Sequence, residues 1–252
     1  MLKLLKYNWK MNSLSVYIML ASTVLLYVLL LIGKYKWGWI DEAVFAFGAL
    51  VTTLSSLAFL VLTCLTMKHQ LKSYHRRLLP LSPIEEIASI LLLGVIYSLF
   101  AVVLAVVYFI VLNANFDDGT IGHTLDLVLK PKPMLSMLLF SVWITIMFLA
   151  VMMLAMIATY SIKGKFRAWF GVAIYFGTLI AIDYVSQFIL GSSYEQHYSF
   201  INFDVGSSDI TINEGMPIDW FDFWSFPMLF EVIVLALMIT MIQYLLKKRV
   251  QL

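Results

Sequence analysis

Charged side chains are what this 252-residue chain has least of: Asp, Glu, Lys and Arg make up 13% of it, against about 25% in an ordinary soluble domain. Hydrophobic residues make up 62%, against roughly 45–50%. That balance excludes a soluble globular domain. The apolar runs are each near or above the ~20 residues that cross a hydrocarbon core, so the chain is read as an integral membrane protein. There is one cysteine, Cys64, inside an apolar run, which excludes an intramolecular disulfide and a cysteine metal cluster. The patterns HExxH, GxSxG and GxxxxGK[ST] are all missing, so the signatures of zinc proteases, serine hydrolases and nucleotide hydrolases are absent. The four histidines, His69, His75, His123 and His197, fall outside the apolar runs, and the six-residue spacing of the first two suits a surface better than a shared metal. Tyr74 among basic residues does not point to nucleic acid, because a loop this close to a bilayer meets lipid or a protein partner first.

What is present organises the chain as one transmembrane domain over residues 1–252, all-α, with six spans at about 14–32, 43–67, 87–112, 134–160, 168–190 and 227–246. No cleavage pattern follows the first twelve residues, so they are not read as a removable signal. Wound as a helix they gather Leu2, Leu5 and Trp9 on one side with Lys3, Lys6 and Lys10 beside them, the pattern of a short interfacial helix. Six spans put both termini on one side. Thirteen of the 17 basic residues lie in the N-terminus, the 68–86 and 161–167 loops and the C-terminus, and the positive-inside rule makes that side cytoplasmic. The acids gather instead in the outer loops.

Three places carry polar groups into or beside the membrane. In the second span Thr52, Ser55, Ser56, Thr63 and Thr66, with Phe59 among them, fall within about 60° of one helical line. Such a stripe either glues helices together or lines a pathway. In the fifth span Ala173, Gly177 and Ala181 repeat every four residues, a seam for close helix approach, and on another side Asp183, Ser186 and Gln187 form a polar patch. Glu231 lies near the outer end of the sixth span. An intramembrane acid usually meets a cavity, a partner or a proton path, and here an outer gate or a structural hydrogen bond fits best. The outer segment 191–226 ends in MPIDWFDFWSFP, whose aromatics suit either an interfacial anchor or a re-entrant element.

The stretch KHQLKSYHRRLLPLSPIEE, residues 68–86, is the longest charged interruption on the basic side. As a helix, 68–79 puts Leu71, Tyr74 and Leu78 on one stripe and Lys68, Lys72 and Arg76 on another. Pro80 stops that helix. Ser82 as N-cap, Pro83 at the first position and Glu85 at the third then open the next, as a capping box. The elbow reads either as a docking surface or as a topology signal under lipid headgroups.

With its amphipathic start, six spans, LPLSPIEE elbow and long last outer segment, the chain resembles the membrane subunit of an ATP-binding-cassette transporter of the ABC-2 permease type. The resemblance covers nearly the whole chain and is mostly architectural. It implies a bacterial cell-membrane exporter of peptides, drugs or lipid-like molecules, in which two permease subunits pair and a separate cytosolic ATPase binds ATP and Mg. This chain would then hold no cofactor and do no enzymology itself. The elbow would dock on the ATPase through Lys72, Arg76, Arg77, Leu79, Pro80, Ser82, Glu85 and Glu86. The second and fifth spans would line the path with Thr52, Ser55, Ser56, Phe59, Thr63, Asp183 and Gln187. The alternative is an intramembrane enzyme or accessory scaffold using the Asp183 and Glu231 region.

Overall fold

The computed structural model describes residues 2–72, 82–114, 131–161, 166–191, 202–205, 210–213 and 226–250. These form helices α1 (Leu2–Trp37), α2 (Asp41–Lys72), α3 (Pro83–Asn113), α4 (Pro131–Ser161), α5 (Arg167–Leu190) and α6 (Phe226–Val250), and strands β1 (Asn202–Val205) and β2 (Ile210–Asn213). All six helices are long and apolar enough to cross a bilayer, so the chain is a helical multi-pass membrane protein. It divides into two compact units, residues 1–149 and 150–252.

The first unit is built on α1, α2 and α3. The short interfacial helix expected at the N-terminus is not a separate element: α1 runs unbroken through residues 12–14. The sequence has no proline before Pro80 and no glycine before Gly33, so no residue there stops a helix. The polar residues at the expected break feed back into it. Asn12 Nδ2 donates to the Asn8 carbonyl at 3.1 Å, and Ser13 Oγ to that of Lys10 at 3.0 Å. The face that packs inward runs Leu4, Asn8, Asn12, Val16, Thr23, Tyr27, Leu30, a stripe at helical spacing.

The turn from α1 into α2 needs Gly38, whose φ of 63° is left-handed and suits glycine. It folds Trp39 back against Gly33, where the Trp39 amide donates to the Gly33 carbonyl at 3.3 Å and the indole fills the space a Cβ would take. Lys34 and Asp41 close the same turn with a 2.9 Å ion pair.

Two apolar clusters then fix the three helices against one another. Val16, Phe59, Leu62, Leu93, Tyr97 and Ala101 form one; Tyr27, Leu30, Val44, Val51, Tyr108 and Leu112 form the other. In the second, the Tyr27 and Tyr108 rings stack at 4.3 Å, and the Tyr108 hydroxyl donates to the Val44 carbonyl at 3.0 Å. Gly48 makes room for that ring, and Gly94 does the same for Leu149.

In the second unit the Arg167 guanidinium, at the start of α5, lies 3.9 Å from the ring centre of Tyr160, near the end of α4, a cation–π contact. Gly171 lies close under Thr159. β1 and β2 pair antiparallel, Asn202 opposite Asn213 and Val205 opposite Ile210. The segment 191–226 was expected to be interfacial or re-entrant; within its described residues it carries this antiparallel strand pair. Its aromatic stretch from Asp219 to Trp224 lies outside the described residues.

A Cβ at Gly48 would overlap the Tyr108 ring, and overpacking of this kind costs about 1–3 kcal/mol. Gly48→Ala is therefore expected to lower the thermal unfolding midpoint in detergent. Gly177→Ala, where nothing lies within 4 Å of the added carbon, is expected to leave it unchanged or raise it slightly.

Candidate functional site

Two of the expected site regions fall in the first unit, the elbow and the α2 stripe. At the elbow Ser82 has extended backbone angles (φ −70°, ψ 140°) and accepts the Glu85 amide on its side chain at 3.3 Å, with Pro83 opening α3. That is the N-cap the sequence spacing demands. Glu85 and Glu86 sit half-buried in the first turn, where the helix dipole favours acids. On the other side of the elbow Lys68 to Lys72 continue α2, rather than starting a separate surface helix. Within that turn Lys68 and His69 are exposed while Gln70 and Leu71 are buried. Tyr74, Arg76, Arg77, Leu78, Leu79 and Pro80 lie outside the described residues.

The α2 stripe faces α1. Asn12 Nδ2 donates to Thr66 Oγ1 at 2.6 Å, while the Thr66 hydroxyl donates to the Leu62 carbonyl. About three turns along, Ser55 meets Thr23 at 2.9 Å, and a turn farther on Thr52 meets Tyr27 at 2.7 Å. Thr23 and Thr52 each spend their own proton on a backbone carbonyl, that of Met19 and of Gly48. Ser55 and the Tyr27 phenol are therefore the donors across the seam. Ser56 and Thr63 bond their own helix, to the carbonyls of Thr52 and Phe59. Phe59 and Thr63 are 1% and 0% exposed. These contacts hold helices together: Thr52, Ser55 and Thr66 bond α1, Ser56 bonds its own helix, and Phe59 and Thr63 are buried.

Sequence reasoning missed the α1 half of this seam. Asn8, Asn12, Thr23 and Tyr27 lie on the buried face, whereas Leu5 and Trp9, expected to define the apolar side, are only partly buried. The signal was the four-residue spacing of Asn8 and Asn12 on the side of α1 away from Lys3 and Lys10. Tyr97 completes the region, fully buried, with its ring 5.8 Å from Trp9 and 5.9 Å from Phe59.

In the second unit Asp183 and Gln187 share an exposed face of α5, the Gln187 amide reaching Asp183 Oδ2 at 3.4 Å. Ser186, expected in the same patch, is buried and donates to the Asp183 carbonyl at 2.7 Å. Ala173, Gly177 and Ala181 are also exposed, and no described atom lies within 4 Å of a Cβ built at Gly177. Glu231 is buried. No family model, curated protein or solved structure matches this chain.

Hydrogen bonds between membrane helices contribute about 0.6 kcal/mol on average and up to about 1.7. A double-mutant cycle with Asn12→Ala and Thr66→Ala is expected to give a coupling energy in that range in detergent unfolding. Strict additivity would mean that the 2.6 Å contact holds nothing together.

Proposed function

We propose that this chain is the membrane-spanning permease subunit of an ATP-driven exporter of the ABC-2 type, in a bacterial cell membrane with both termini cytoplasmic. The observation that supports this reading most is the elbow. An α2 continuing to Lys72 is followed within ten residues by a capped α3 starting at Pro83. A cap of this kind is worth about 1 kcal/mol and fixes where the following helix starts. Both ends of this connection are membrane helices, α2 and α3, so a partner docked there would act on both.

On this reading a separate cytosolic ATPase holds ATP and Mg, and Lys72, Arg76, Arg77, Leu79, Pro80, Ser82, Glu85 and Glu86 form the docking surface. Closure of the ATPase pushes α2. The hydrogen bonds at Thr52, Ser55 and Thr66 make α1 travel with α2 as one body. A second permease subunit completes the path, with Asp183 and Gln187 at the exposed face of α5 and Glu231 as a gate or structural acid. The substrate is an amphipathic peptide, a drug or a lipid-like molecule. A second reading, an intramembrane enzyme or scaffold, draws on the contrast between a buried Glu231 and an exposed Asp183, since acids in unlike surroundings suit acid–base work.

Gentle purification from native membranes tests both. A stoichiometric ATPase subunit is expected to co-purify and to be lost when Arg76, Arg77 and Glu85 are replaced together. Intact chain without any ATPase, in which Asp183→Asn abolishes a chemical conversion, would overturn the permease reading.

A further inference from the structure

The continuity of α1 gives its lysines a position that a separate surface helix would not. At 1.5 Å per residue its 36 residues extend about 54 Å, more than the ~30 Å hydrocarbon core and close to the ~40–45 Å of a bilayer with its headgroups. Lys10 and Lys34 are then about 36 Å apart along the axis, one at each edge of the core. Lys6 and Lys3 lie farther out on the Lys10 side, one and two turns into the headgroup layer.

The face carrying these lysines decides what meets them. Lys3, Tyr7 and Lys10 are exposed, and the same face continues without a step into Leu14, Tyr17 and Ala21, also exposed. A face that is apolar and open along the core is covered by acyl chains, so the groups at its end meet the headgroups of those same lipids. The Asn12 to Thr66 bond sets the level of α2 against α1 and brings the exposed Lys68 to the height of Lys10. No Asp or Glu occurs before Asp41. The acids at this end of the unit, Glu85 and Glu86, are on α3 and half-buried in its first turn.

We propose that Lys3, Lys6 and Lys10 of α1, with Lys68 of α2, form a binding site for anionic phospholipid headgroups in the leaflet at this end of the first unit. The Tyr7 ring lies at the interface between them, where aromatic side chains are favoured. The ammonium groups pair with lipid phosphates; the seam holds Lys10 and Lys68 at one depth, and Lys6 and Lys3 reach about 6 and 10 Å farther into the headgroup layer. The attraction is electrostatic, so it weakens as salt rises. This site stands independently of the transport reading.

The test is lipid selectivity. The full chain is reconstituted in phosphatidylcholine and its association with spin-labelled phosphatidylglycerol is measured against spin-labelled phosphatidylcholine. Selectivity for the anionic lipid is expected, up to about fivefold for each lysine at low salt, and falling with added salt. The K3Q/K6Q/K10Q variant is expected to lose most of it and the corresponding arginine variant to keep it, both with unchanged helical circular dichroism. K36Q, at the opposite end of α1, is expected to matter less. Equal selectivity in wild type and the folded glutamine variant would overturn the proposal. So would a glutamine variant that keeps its lipid preference but loses a cytosolic protein bound by the wild type, which would make this face a protein-docking surface.

Discussion

Inside a bilayer no water is available to satisfy a polar side chain, so each one must be answered by the protein or carried to an interface. The first unit answers that constraint with the seam between α1 and α2. Three hydrogen bonds, at Asn12 with Thr66, Thr23 with Ser55 and Tyr27 with Thr52, step along two antiparallel helices. A shift of either helix along its axis would pull all three apart together. The seam therefore selects the register in which Val16 meets Phe59 and Leu62, and Tyr27 stacks on Tyr108. Apolar packing alone is a weak guide here, since lipid is as apolar as the helices.

The same constraint explains which features were legible in the sequence. Six apolar runs gave six helices because length and hydropathy decide membrane crossing. The Ser82 cap was legible because its chemistry is local: serine, proline and glutamate at fixed offsets need no tertiary information. The polar stripe on α2 was visible as a periodicity, but its direction was not, because a wheel shows which residues share a face and not what covers it. Asn8 and Asn12 were read past for a related reason. In water an Asn among lysines belongs outside, whereas in a membrane a polar residue belongs where it finds a partner.

The break expected near residue 13 failed on the same physics. Asn12 and Ser13 are turn-formers where water competes for the backbone, and here their side chains close onto the preceding turn of the helix. The strand pair escaped notice because its strands are four residues each, too short for periodicity to register. Its signal was the β-branched run Ile210, Thr211, Ile212 after Gly206, Ser207 and Ser208, residue types favoured between strands. In the second unit the exposed Asp183 and Gln187 pair and the exposed small residues of α5 were legible as a pattern. Among the described residues nothing covers them, and the proposed second permease subunit would.

The account stands on α1 being one rod held by the seam, and a distance decides it directly. With Cys64 replaced by alanine, spin labels at Lys6 and Tyr35, both exposed, are read by pulsed electron resonance in reconstituted protein. An unbroken helix puts the two positions about 44 Å apart, and that is the distance the account expects. A helix turning onto the membrane surface near residue 13 would bring them to about 35 Å, contradicting the seam as the element that organises the unit.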